Sequence, residues 1–182
     1  MITGKIISAL SESMNAWTSL LTQGDFAEFG EQRTIRYLES ANALLITSDR
    51  FPPEGCDCIE DTIINYRGLR ILGLGGCQLY NGGPHQYTER QMARRIRKLY
   101  WKIRRAGGID IVLTHAPAAG YGDAEDTAHR GFQCFTQLID KYHPKYFIHS
   151  HVHLNYGHNI PRELERNGTK IINAYERFEL EI

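Results

Sequence analysis

"IDIVLTHAPAAGYGDAEDTAHRGFQCFTQLIDKYHPKYFIHSHVHLNYG", residues 109–157, is the stretch on which the fold turns. It opens with a short β-branched run, "IDIVL" (109–113). After a loop of small and polar residues, Phe132, Phe135, Leu138, Ile139 and Tyr142 recur at helical spacing and mark one buried helix face. His143-Pro144 stops that helix. "KYFIH" (145–149) then supplies a second apolar strand. Strand, helix and strand in succession predict a layered α/β domain, a mixed sheet covered by helices.

Working outward, the punctuation stays clear. "DTIINYRGLRILGLGG" (61–76) reads as a hairpin turning at Arg67-Gly68. Thr88 and Gln91 form a capping box, and Met92, Ile96, Leu99 and Ile103 place one apolar face on a single helix ended by Ala106-Gly107-Gly108. Downstream, Asn167-Gly168 makes a turn before two closing strands in "TKIINAYERFELEI" (169–182). Residues 1–60 are less regular. Only "GKIISAL" (4–10) and "NALLIT" (42–47) read as strands there, with a helix expected around 31–41. No linker rich in Pro, Ser or Gly divides the chain, so one domain over 1–182 is expected, its first 60 residues atypical.

Composition narrows the function classes. The 182 residues are 42% hydrophobic and 23% charged, with a formal net charge of zero. That balance is ordinary for a globular protein and gives no global pull towards nucleic acid or an anionic membrane. No apolar run approaches the roughly 20 residues of a membrane span, and the first 17 residues make a poor signal peptide. Cys56 and Cys58 form a C-x-C pair, but Cys77 and Cys134 lack the paired spacing of a zinc cage. Free thiols in a reducing, cytoplasmic setting are the expectation.

The chemistry gathers at strand ends. Thr114-His115-Ala116-Pro117 follows one strand, and His149, His151 and His153 follow the other. Ligand sites in open α/β sheets collect beyond the carboxyl ends of strands. In extended chain, residues i and i+2 share a face about 7 Å apart, a separation that suits two imidazoles serving two metals about 3.5–4 Å apart.

These residues resemble the C-terminal half of the calcineurin-like metallophosphoesterases, in the branch with a Thr-His-Ala-Pro motif and a late Gly-His-x-His motif. "PPEGCDCIEDTIINYRGLRILGLGGCQLYNGGPHQYTERQM" (52–92) is similar to the same branch, so the resemblance covers about residues 52–176. It implies a four-layer α/β/β/α sandwich with mixed sheets and a centre of two divalent ions (Mn, Fe, Zn or Mg). It also implies hydrolysis of a phosphodiester or phosphomonoester, such as a nucleotide, by a metal-bound hydroxide. His115, His151 and His153 match the motif histidines and are the implied metal ligands. His149 falls outside the motif and is expected to orient a ligand.

Three places depart from the family pattern. "IISALSES" has Glu12 but no aspartate for the first motif. Gly24-Asp25 in "LLTQGDFAEF" stands for the Gly-Asp motif, making Asp25 the implied bridging ligand. "NALLITSDRFPPEG" offers Ser48-Asp49 where an Asn–His pair belongs, and Ser150 replaces a motif glycine. Proton delivery of the kind the missing His provides is worth about 10²- to 10⁴-fold. Two readings therefore stand: a phosphoesterase with weakened activity, or an impaired metal- or nucleotide-binding relative acting as a scaffold.

Asp123, Asp126 and His129 lie in the loop after His115, where pocket-lining and loop-capping roles are both open. Of these, His129 is the expected catalytic side chain. "ERQMARRIRKLYWKIRRAGG" (89–108) carries eight basic residues. With zero net charge it reads as the solvated side of an amphipathic helix, in preference to a nucleic-acid surface. "GLGGCQLYNGG" (73–83) lacks the Lys-Ser/Thr of a phosphate-binding loop and reads as a turn.

Overall fold

Strands that run apolar at consecutive positions are buried on both faces, and the middle of this chain folds accordingly. The structure is a computed structural model that describes residues 5–10, 16–21, 46–47, 57–66, 68–152, 161–175 and 178–181. In chain order the early strands are β1 (Lys5–Leu10), β2 (Ala16–Leu21), β3 (Ile46–Thr47) and β4 (Asp57–Cys58). The hairpin β5 (Thr62–Tyr66) and β6 (Leu69–Leu74) follows, then β7 (Cys77–Gln78) and β8 (Gln86–Tyr87). Next come helices α1 (Glu89–Lys98) and α2 (Tyr100–Ala106), strand β9 (Ile111–Thr114), helix α3 (Gln133–Tyr142) and strand β10 (Tyr146–His149). Strands β11 (Glu163–Arg166), β12 (Thr169–Asn173) and β13 (Phe178–Glu181) close the series.

Six strands form one mixed sheet in the order β11-β12-β10-β9-β6-β5. The inner four, β12, β10, β9 and β6, run parallel, and β11 and β5 pair antiparallel at the two edges. Alternation sorts the side chains. Leu72, Val112, Phe147 and Ile171 face a core shared with Met92, Leu99, Ile103, Phe135 and Ile139 of the helices. Ile71, Ile111, Leu113, Ile148 and Ile172 face the other way, where Phe178 and Leu180 of β13 pack on them. Strand β13 belongs to a separate antiparallel sheet, β13-β1-β2. The described residues are thus of the α/β class, with helices on one face of a mixed sheet and a strand of a second sheet on the other. Among the described residues, no helix is long and apolar enough to cross a membrane.

The capping box forms as its spacing predicts, with Gln91 and Thr88 bonding reciprocally. The single helix expected through residue 105 is instead two. The Leu99 amide bonds to the Ile96 carbonyl at 3.1 Å, a tighter turn than the α ladder. Leu99 keeps right-handed helical dihedrals (φ −79°, ψ −9°), so the apolar face stays in phase across the break and Met92, Leu99 and Ile103 are all buried. The helix expected around 31–41 lies outside the described residues.

Asp110, at the amino end of β9, locks the opposite end of the sheet. Its carboxylate accepts from the Arg70 amide at 3.0 Å and from Arg70 Nε at 2.7 Å and Nη2 at 2.9 Å. Arg70 also donates to the Gly107 carbonyl behind α2. The Arg70 hydrogen bond chiefly holds the Asp110 carboxyl below the usual carboxylate range, against its burial.

Candidate metal centre

His115 follows β9 and His149 ends β10, and these parallel neighbours bring both chains off the sheet at one level, with Leu113 opposite Ile148. Backbone bonding continues past the strand ends. The Ser150 amide donates to the His115 carbonyl at 3.1 Å, and the Ala174 amide to the His149 carbonyl at 2.7 Å. Buried Thr114 donates its hydroxyl to the Ala116 carbonyl at 2.8 Å, which fixes the turn that presents His115.

His151 has a positive φ of 63°. The Val152 amide donates to the Ser150 carbonyl at 2.7 Å, closing a γ-turn with His151 at its centre, a strained conformation for a residue with a β-carbon. The surroundings enforce it. Val152 is buried, and Asn173 Nδ2 donates to the Val152 carbonyl at 2.9 Å. The His151 ring Nε2 lies 2.8 Å from the Ala128 carbonyl.

This turn swings the His151 ring to 4.6 Å from that of His115 and 5.1 Å from that of His129, between centroids. Three imidazoles therefore stand together, with His151 in the middle. A carbonyl only accepts, so His151 Nε2 is the donor in this contact. Metal-binding histidines commonly have one nitrogen tied in this way to a main-chain acceptor. His129 Nδ1 sits 2.9 and 3.0 Å from the two Asp126 carboxylate oxygens, which orient its ring in the same fashion.

His149 is 1% exposed and donates from Nδ1 to the Ser150 carbonyl at 3.1 Å. Burial, with a smaller contribution from nearby His151, pulls its pKa down to about 4, so the ring is neutral at pH 7. Its Nε2 faces Gly122, where a β-carbon would lie 3.0 Å away. Asp123 braces the loop that carries Gly122, accepting from the Gly120 amide at 2.9 Å and the Gly131 amide at 3.1 Å. That is the loop-capping role open to it in the sequence. Beyond this loop, an open cleft of about 530 Å³ is lined by Gln78, Glu89, Asp123, Glu125 and Arg130, and none of the described histidines lines it.

The sequence-predicted residues thus divide. His115, His151 and His129 come together, whereas Asp25 and His153 lie outside the described residues. Among the described residues no group of three or more His, Cys, Asp or Glu side chains is placed to hold one ion. Ser150, in the position of the motif glycine, is fully buried, and its hydroxyl has no hydrogen-bond partner among the described residues. The Ala128 carbonyl has no sequence signal, because a main-chain acceptor is independent of side-chain identity.

No family model matches the chain, and no curated protein does. One solved structure aligns at 15% identity over 82% of this chain and 55% of its own, with a TM-score of 0.50. The protein TT1561 of Thermus thermophilus aligns at 11% identity over 80% of this chain and 56% of its own, with a TM-score of 0.43. The chain spans just over half the length of either. At such identities the first likeness concerns the α/β fold alone.

Proposed function

We propose that this chain is a metal-dependent phosphoesterase of the calcineurin-like kind, with the four-layer sandwich of that family and a small phosphoester or nucleotide as substrate. The observation that carries the reading is the approach of His115 and His151 to 4.6 Å from the ends of adjacent parallel strands. His115 and His151, with Asp25 and His153, are the proposed ligands. With Nε2 of His151 engaged by the Ala128 carbonyl, Nδ1 is the nitrogen that would serve as the ligand atom.

Divalent ions bound by these side chains supply charge neutralisation for the phosphoryl group and acidify the attacking water. His129 is the proposed catalytic side chain. With Nδ1 bound to Asp126, its Nε2 is the nitrogen that would hold or pass a proton, the task for which the family pattern uses the Asn–His pair.

Elemental analysis of the purified chain and hydrolysis of bis-p-nitrophenyl phosphate in Mn²⁺ test the proposal. Bound metal and turnover, both lost in His151→Ala, are expected. Bound metal with no turnover, in any divalent ion, favours the scaffold reading, and neither metal nor turnover overturns both.

A further inference from the structure

Net charge is counted over the whole chain, but the fold separates it. Residues 89–106 hold eight Lys and Arg and a single acid, leaving thirteen bases against twenty acids elsewhere. Burial divides these helices lengthwise. Met92, Leu99 and Ile103 enter the core, while Arg90, Arg94, Arg97, Lys98 and Arg105 are exposed. Spacings of three and four align these side chains in one stripe. Leu99 keeps helical dihedrals, so the stripe continues from α1 into α2 for about 22 Å.

Two observations distinguish this stripe from an ordinary solvated face. First, its charges are unopposed. Glu89, the one acid on either helix, is turned away, accepting the Gln133 and Cys134 amides at 3.1 and 2.6 Å. Arg95 is the base that goes inward, to Glu60 and Asp61. Lys102 and Arg104 are exposed as well but bond to the Asp61 carbonyl and the Tyr100 hydroxyl, whereas the side chains of the other five make no hydrogen bond or ion pair among the described residues. Second, Trp101 stands within the stripe at 72% exposure. Its ring meets Tyr100 edge-to-face at 5.2 Å, and Lys141 adds a further cation 5.3 Å from the Tyr100 ring.

We propose that this arginine-rich stripe, with Trp101 as its stacking platform, binds single-stranded nucleic acid. Such surfaces combine a positive track for phosphates with aromatic rings on which unpaired bases stack. Guanidinium forks match phosphate oxygens, and four of the five unopposed bases are arginines. An anionic bilayer is the poorer match, because surface helices bind it by burying an apolar face and the apolar face here is already in the core.

The test is fluorescence anisotropy of a labelled 20-nucleotide oligo-dT with the full chain between 50 and 200 mM salt. Binding is expected to weaken with salt, with a log–log slope of about −3 if four phosphates are neutralised. Arg94→Glu with Arg97→Glu should make that slope shallower by about 1.4. Trp101→Ala should weaken binding by about 5- to 150-fold and leave the slope unchanged. All three sites are exposed, and circular dichroism checks that the variants fold. No binding at 50 mM salt overturns the proposal. So does binding unchanged by the double charge reversal or by Trp101→Ala. Capture by phosphatidylserine vesicles without binding of the oligonucleotide overturns it in favour of a membrane.

Discussion

His151 and Ala128 meet through a 2.8 Å bond from the ring Nε2 to the main-chain carbonyl, so the loop after β9 holds the histidine delivered by β10. Ring and backbone of His151 are thus constrained separately, the backbone by its γ-turn. His151→Asn should keep the turn better than other replacements, since Asn is among the non-glycine residues most often found at positive φ, with a thermal midpoint close to wild type and metal-dependent turnover lost. His151→Val should lose turnover and also cost about 1–2 kcal/mol of stability. Denaturation curves of the two variants side by side check this.

Gly122 lies against the buried face of His149. Alanine there would sit 3.0 Å from His149 Nε2 at a φ of 78°. Gly122→Ala should destabilise the fold by about 2–3 kcal/mol, from left-handed strain and overpacking together. Gly120→Ala, also at positive φ but with open space around its β-carbon, should cost only the strain. Chemical denaturation separates the two.

The Arg70–Asp110 clamp predicts an acid-sensitive stability. A carboxyl held below its ordinary value by an arginine stabilises the fold fully above the unfolded-state value of about 4, and that contribution is lost as pH falls through the lower folded value. Thermal midpoints should therefore drop between pH 6 and pH 3. Asp110→Asn should shrink that drop and cost about 1–2 kcal/mol at pH 7, since Arg70 is partly solvated.

Glu89 caps a helix it does not belong to. Phe132 precedes α3 and offers no side-chain cap, and the Glu89 carboxylate accepts the first two α3 amides instead. Glu89→Ala should cost about 1–2 kcal/mol. Burial, and then the Glu89 carboxylate, push the Cys134 thiol well up. Cys134 should therefore resist iodoacetamide at pH 8 until the chain unfolds, and mass spectrometry of the labelled peptide reads this out.

What can be read in the chain before folding follows from how local its causes are. The β6, β9, β10 and β12 strands carry their own signal, because burial on both faces demands uninterrupted apolar runs such as "IVL" and "YFI". The capping box at Thr88 acts over three residues and is equally plain. The break at Leu99 is not, since a tight turn that preserves helical phase leaves the periodicity intact. Strand β11 alternates over only four residues, "ELER", at a sheet edge, too short to distinguish from loop. At the candidate site, His115 and His151 stand out from their places behind strands. The pairing of His151 with Ala128 and the cap from Glu89 join residues 23 and 45 apart, and neither has a local signature.

The parallel pairing of β9, β10 and β12 sets a timetable. His149 and Asn173, the last residues of β10 and β12, are 24 residues apart, roughly 1–5 s of synthesis on a ribosome. Through that interval a nascent chain offers β10 with an apolar, unpaired edge, the kind of surface that recruits other chains. Early termination before β12 should thus yield insoluble material, and the histidine cluster can assemble only once the last parallel strand has emerged and docked.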